Sequence, residues 1–343
     1  MTALSRPIGG FFERHTAGPG AVGPGVLDAW TGGRPHAAFV NARSAFGALV
    51  AQLEPATIWL PAWLCRDMVQ PAWSDRVRFY PVGPGFEPDL SAVKAEAQAG
   101  DVLLVLAAFG LPIDDATRAL STARPELHMI EDRAQALDAG PGSGAGWTLY
   151  SPRKLLGVAD GGLLVARDKD CVLPLPGTAA RADLLWRAPD LRAADPAGRE
   201  NALWHAANQS KETAMDVSGA AMTADSLALL SGTPLSSLTA PRLRNWMTLD
   251  ERLDQWSALP SKPAAPPLGY VLDLEPEVRD CLRARLTSAR VFAAVHWPDL
   301  ASPAGLFPRE HAWTRRLLTL PCDHRYTEVE MAGIADLVDE VLG

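Results

Sequence analysis

The chain has 343 residues, 48% of them hydrophobic and 21% charged, which suits a soluble globular protein with one large domain and a smaller one. With 40 acidic against 32 basic side chains its formal net charge is −8, which argues against a nucleic-acid backbone as the main partner and leaves room for a local basic pocket. Cys65, Cys171, Cys281 and Cys322 are scattered, with neither a CxxC pair nor metal-ligand spacing, so reduced thiols and no metal site are expected. Met1 to Arg14 lacks an apolar signal core, and no apolar run approaches the ~18 residues of a membrane span. A cytoplasmic protein with no membrane partner is the expectation.

Residues 1–36 are rich in Gly and Pro and read as an irregular arm. Its Phe11 and Phe12 are costly to expose, so the arm packs either on its own body or on a second subunit. Ala37 to Val40 is a short apolar strand, followed by Asn41-Ala42-Arg43-Ser44 and a helical pattern from Ala45 to Leu53. A polar residue opening a helix is either a phosphate seat, with Ser44 adding a hydroxyl and Arg43 a charge, or an ordinary N-cap.

Thr57 to Leu60 is the next strand, ending in Pro61-Ala62-Trp63-Leu64-Cys65; a helical stretch leads to a strand over Arg76 to Pro81. Asp89 to Gln98 reads as an amphipathic helix. Asp101 to Ala107 is a continuous apolar run, as in a parallel sheet covered on both faces, and it runs into the turn at Phe109-Gly110. A helix over Asp115 to Ala123 precedes the strand His128 to Asp132. The alternation is that of βαβ units and predicts an α/β fold. Ligands of such sheets sit outside the carboxyl ends of the strands, where Asn41 to Ser44, Pro61 to Cys65, Phe109-Gly110 and Asp132 all fall.

Trp147 to Ser151 and Gly162 to Ala166 bracket a loop with Lys154 and read as neighbouring strands. The glycine-rich loop Gly140 to Gly146 lacks the GxxxxGK[ST] pattern of a nucleotide-binding loop. Residues 168–240 are less regular, with a helix from Ala197 to Glu212, and Arg242 to Leu259 is helical. A proline-rich break over 260–267 precedes a strand, a helix (Glu277 to Ser288), Val291 to His296 and the closing helix Glu328 to Leu342. The expected division is an arm (1–36), a large α/β domain (37–240) and a small α+β domain (241–343).

Asp132 at a strand end and Lys154 in a loop are the two groups a pyridoxal phosphate (PLP) site needs most, a carboxylate for the pyridinium nitrogen and an amine for a Schiff base. Asp132 alone is also a candidate helix cap, and a lone loop lysine is usually solvated. Taken together, Gln135 is placed to donate to the ring's phenolic oxygen, and Lys154 to carry a proton as a free amine. Ser151 and Ser44 are placed to hold phosphate, and Gly161-Gly162 to let backbones approach.

The chain resembles the DegT/DnrJ/StrS group of PLP-dependent, fold-type-I aminotransferases. The likeness is carried by Ile8-Gly9-Gly10-Phe11-Phe12-Glu13, Asn41-Ala42-Arg43-Ser44-Ala45 and Leu60-Pro61-Ala62-Trp63-Leu64-Cys65. It continues through Phe109-Gly110, Ile130-Glu131-Asp132 with Gln135, Ser151-Pro152-Arg153-Lys154 with Gly161-Gly162, and Leu320-Pro321-Cys322-Asp323-His324-Arg325-Tyr326-Thr327. The resemblance implies a large domain with a mainly parallel sheet of the seven-stranded type and a smaller C-terminal α+β domain. It also implies a homodimer with sites at its interface, PLP or its amine form (PMP), an amino-acid donor such as glutamate, and a nucleotide-linked keto sugar as acceptor. Catalysis falls to Lys154, and cofactor binding to Asp132, Gln135, Lys154, Arg43, Ser44, Ser151, Trp63 and Cys65.

The chain departs from that pattern in places. Only Pro152-Arg153 separate Ser151 from Lys154, and Arg43-Ser44 stands where Gly-Thr is common. The ring-covering aromatic position falls on Cys65, with Trp63 nearby, and which of them covers the ring is open. The loop by which a neighbouring subunit reaches the phosphate is not recognisable around Asp216 to Met222. A different PLP reaction and a non-catalytic binding role are the competing readings.

Overall fold

A computed structural model of the chain describes residues 5–16, 22–138, 140–215, 217–260, 263 and 265–343. The arm holds β1 (Ile8–Gly9) and α1 (Val26–Thr31). Then come β2 (His36–Phe39), α2 (Ala42–Leu53), β3 (Ile58–Pro61), β4 (Val77–Tyr80), α3 (Ser91–Glu96), β5 (Val102–Leu106), α4 (Asp115–Ala123) and β6 (His128–Asp132). β7 (Trp147–Tyr150) and β8 (Gly162–Ala166) are followed by α5 (Ala182–Ala194), α6 (Asn201–Ala214), α7 (Ala224–Gly232) and α8 (Ser236–Leu253). The chain closes with β9 (Tyr270–Asp273), α9 (Pro276–Ser288), β10 (Val291–Phe292), α10 (Pro308–Arg316), β11 (Leu317–Leu320) and α11 (Glu328–Leu342).

Seven strands form one sheet in the order β2-β8-β7-β6-β5-β3-β4, in which β8 pairs antiparallel with both neighbours and the other pairings are parallel. Because successive strand side chains point to opposite faces, the apolar runs serve two cores at once. Ile58, Leu60, Leu104 and Ile130 pack with Phe46 and Leu49 of α2. Trp59, Leu103, Val105 and Met129 pack with Val93 of α3 and Leu120 of α4. All five residues of β5 are buried, which explains a run with no polar alternation; each such side chain contributes roughly 1.5–3 kcal/mol.

Several boundaries differ from those expected. α2 begins at Ala42, three residues early, because Asn41 caps it: its side chain accepts the Ser44 N–H at 2.8 Å. The stretch after Cys65 is two short 3₁₀ turns, Arg66–Met68 and Pro71–Arg76, not a helix. The irregular reading of residues 168–240 is corrected by α5, α7 and the start of α8, which opens at Ser236 rather than Arg242. Interior prolines, Pro189 in α5 and Pro241 in α8, hide these helices, since proline normally breaks one. Gly18 to Gly20 of the arm, Asp216 and part of the 260–267 break lie outside the described residues.

A second core forms where α8, α9 and α11 pack around the antiparallel pair β9–β11. The arm packs on its own chain. β1 pairs with β10, Gly9 N–H donates to the Tyr326 hydroxyl at 2.7 Å, and the Arg325 guanidinium lies 4.0 Å from the Phe12 ring centroid. Arg325 also holds Asp323 through two bonds of 2.8 Å and Glu13 at 2.9 Å.

At the Gly161-Gly162 step, Gly161 has φ of +135°, and a Cβ on Gly162 would lie 2.1 Å from the Asn41 carbonyl carbon. The start of α2 therefore rests on bare backbone of β8. Gly162→Ala is expected to cost about 3 kcal/mol or more through overpacking against backbone that cannot yield, read as a lowered midpoint of thermal unfolding. An unchanged midpoint would mean that the two segments can part.

Candidate active site

The carboxyl ends of β5, β6 and β7 and the start of α2 border a cleft of about 100 Å³. Six of the eight residues singled out from the sequence line it: Arg43, Cys65, Asp132, Gln135, Ser151 and Lys154. They come from segments up to about a hundred residues apart, and the sheet brings them together. Among the described residues no cluster of His, Cys, Asp and Glu is arranged to hold a metal ion.

Asp132 ends β6 and is 3% exposed. One carboxylate oxygen accepts the Ala134 N–H at 2.8 Å, which fixes the side chain. Burial raises its pKa, and the nearby Lys154 charge opposes that rise. Lys154 lies in the 3₁₀ turn Pro152–Lys154 just after β7. Burial lowers its pKa and Arg153 and Arg43 add to the effect, against Asp132 and Cys65. The result is an amine with a raised share of its neutral, nucleophilic form.

Gln135 is 1% exposed, and its Oε1 accepts the Phe109 N–H at 2.7 Å. Its Nε2 is buried without an acceptor. A buried amide N–H without a partner costs roughly 1–3 kcal/mol, so a cleft-lining Gln135 is a donor prepared for a ligand acceptor. Phe109 takes the left-handed conformation at φ +53° to present its N–H, and such strain concentrates at binding sites.

At the other side of the cleft Arg43 donates to Asp67 at 2.9 Å and to the Met215 carbonyl at 3.2 Å. Ser151 is 2% exposed and lines the cleft. Ser44 and Trp63 are not among the lining residues. Ser44 is 1% exposed within α2, with its N–H used by the Asn41 cap, so the ordinary N-cap reading holds for Asn41. Trp63 is fully buried behind the cleft, its ring centroid 4.7 Å from that of Trp297 and 5.1 Å from that of Phe109. Of the two residues considered for covering a ring, only Cys65 reaches the cleft.

Sequence reasoning missed Arg153, Glu212 and Trp297, which also line it. Arg153 stands beside Lys154 and was open to notice; Glu212 and Trp297 arrive from distant segments with no local signature. His296 is half-buried beside this region, its Nδ1 3.0 Å from the Thr319 hydroxyl; desolvation and then the Lys154 charge push its pKa down to about 4. The segment before α7 runs along the sheet edge of its own chain, Val40 N–H donating to the Ala220 carbonyl at 2.8 Å and Met222 N–H to that of Ala38 at 3.0 Å.

The parts present fit a pyridoxal phosphate: an anchored buried carboxylate, an unpartnered amide donor, a desolvated lysine and basic side chains at a helix start. No protein-family profile and no curated protein matches the chain. Solved structures do match. The sugar aminotransferase CalS13 from Micromonospora echinospora is 16% identical with a TM-score of 0.64, over 96% of this chain and 99% of that one. DesV of S. venezuelae, solved in complex with a ketimine intermediate, is 20% identical with a TM-score of 0.64, over 92% and 86%. A 3-amino-5-hydroxybenzoic acid synthase is 19% identical with a TM-score of 0.61, over 92% and 88%. The chain thus has the α/β fold of the PLP-dependent aminotransferases. Within that class the matched folds include one described as a DegT DnrJ EryC1 StrS aminotransferase, from Brucella abortus, 16% identical with a TM-score of 0.63, over 92% of this chain and 88% of that one.

Proposed function

We propose that the chain is a PLP-dependent aminotransferase of the DegT/DnrJ/StrS type, moving an amino group from an amino acid, with glutamate as the expected donor, to a keto sugar carried on a nucleotide. The observation that carries this reading is the convergence of Lys154, Asp132 and the unpartnered Gln135 amide on one cleft. The matched sugar aminotransferases support the acceptor class, and the shared fold of the hydroxybenzoic acid synthase shows why the fold alone does not fix it.

Bound PLP supplies an electron sink for the amino acid's Cα–H bond. Asp132 would hold the ring nitrogen protonated, and Gln135 Nε2 would donate to the phenolic oxygen. Lys154, its pKa lowered by burial, would take the Cα proton at Nζ and give it back. In the same reading the protein is a cytoplasmic homodimer with the arm (1–36), large domain (37–240) and small domain (241–343) expected from the sequence. No described helix is long and apolar enough to cross a membrane.

The test is absorption of the purified protein with added PLP, before and after glutamate. A visible band that glutamate bleaches is the expected result, followed by amine transfer to one member of a panel of nucleotide-linked keto sugars. No band at all would end the cofactor reading, and a band indifferent to every amino donor would point to another PLP reaction or a non-catalytic role.

A further inference from the structure

The cleft holds a basic side chain that the reading above leaves without a task. Its lining includes three cations, Arg43, Arg153 and Lys154, and three carboxylates, Asp67, Asp132 and Glu212. With Lys154 and Asp132 assigned to the reacting ring, two ion pairs remain. They are Arg43–Asp67 at 2.9 Å and Arg153–Glu212 at 2.8 Å.

In both pairs the arginine is the more buried partner, with side chains 21% and 20% exposed against 60% for Asp67 and 37% for Glu212. The carboxylates therefore sit nearer water, where an ion pair holds weakly and releases readily. Arg153 spends one nitrogen, Nη1, on Glu212, and its Nε is buried without any acceptor. A guanidinium presents a planar fork that matches two phosphate oxygens, and unused donors beside a cleft seek such an acceptor. The Ser151 hydroxyl lies on the same wall, and α2 turns its positive end to it. One of that helix's free donors, the Ser44 N–H, is already taken by Asn41, so backbone alone is a reduced anion seat.

We propose that Arg43 and Arg153 act as a two-arginine clamp for the phosphate of the bound cofactor, with Ser151 as its hydroxyl donor and all three groups drawn from one chain. The clamp rests on the PLP reading. It makes Arg153 a binding residue, and it makes Asp67 and Glu212 placeholders that keep the arginines extended until a phosphate takes over their bonds. Affinity is then dominated by the phosphate, and pyridoxal, which has the same ring and aldehyde without it, binds poorly.

The experiment titrates the full chain with PLP and with pyridoxal, following the visible band that depends on Lys154, in wild type, Arg153→Ala and Arg153→Lys. Arg153→Ala is expected to weaken PLP by about 10- to 100-fold, the size of one lost charge-assisted contact, while pyridoxal changes by less than about threefold. Arg153→Lys should recover part of the loss, since the charge returns without the fork. Equal weakening of both ligands, or no change in either, overturns the clamp. Phosphorus NMR line broadening of inorganic phosphate separates the two readings. Broadening that Arg153→Ala diminishes, in a protein that forms no band with PLP, would keep the clamp and discard PLP; absence of broadening in wild type would discard the clamp.

Discussion

Lys154→Ala is expected to lower turnover by about three orders of magnitude or more, since a positioned proton carrier alone is worth about 10²–10⁴-fold and the proposed function makes the same group the covalent anchor. The variant should also lose the visible band with PLP and the mass increase that borohydride reduction fixes on the wild-type protein. Lys211, which is buried, is not expected to substitute: it is not part of the cleft lining, and its Nζ is engaged 3.7 Å from Glu212. Lys154→Arg should be as inactive as the alanine variant, because a guanidinium keeps the charge but does not deprotonate. Turnover within tenfold of wild type in either variant would show that the amine at this position does no chemistry.

The second large effect is on stability below neutral pH. Burial pushes the pKa of His296 down to about 4 and that of His324 down to about 3, with Lys154 adding at the first, and Arg242, Arg325 and His15 adding at the second. A folded-state pKa below the unfolded value near ~6.5 means that the unfolded chain binds protons first as pH falls. Stability from these histidines is therefore full above about pH 6.5 and declines as pH drops toward their folded values, by about 1.4 kcal/mol per pH unit for each proton. His15 and His128, also lowered by burial, tilt it the same way. Asp323, held far below the carboxylate range by Arg325 in spite of burial, contributes above the ordinary carboxylate pKa and fails only in stronger acid. Asp132 and Asp160, raised by burial, act in the opposite sense, from the ordinary carboxylate pKa upward. Calorimetry should show the unfolding midpoint falling steadily between about pH 7 and pH 5, with a flatter profile in His324→Gln. A flat wild-type profile would mean that these rings stay hydrated.

Much of the fold was legible because the sheet strands are short apolar runs closed by polar ends. His128 to Asp132 and Gly162 to Ala166 have the expected bounds, as does the helix Asp115 to Ala123. The helices that escaped notice are governed by tertiary packing. Trp186 and Leu185 of α5 are buried in a shared core, and that packing outweighs the unfavourable Pro189. The cleft was legible only where its groups stand at strand ends or beside Lys154. Trp297 lay beyond reach because its place depends on how the C-terminal segments fold back, and Trp63, five residues after β3 begins, turns into the aromatic core instead of toward the cleft. Ser44 shows the same limit in a helix: one turn decides between lining a cleft and facing a core.

The tie between the chain's first and last segments has a consequence for the order of assembly. Glu13 meets Arg325 across 312 positions, and His15 N–H donates to the Gly157 carbonyl at 2.8 Å, so the arm braces the loop that follows Lys154. In a nascent chain Glu13 emerges 312 residues ahead of its anchor Arg325. The parallel sheet can assemble while synthesis continues, but the brace over the lysine loop waits until Arg325 has been made. The loop after Lys154 is therefore braced long after its own residues are made.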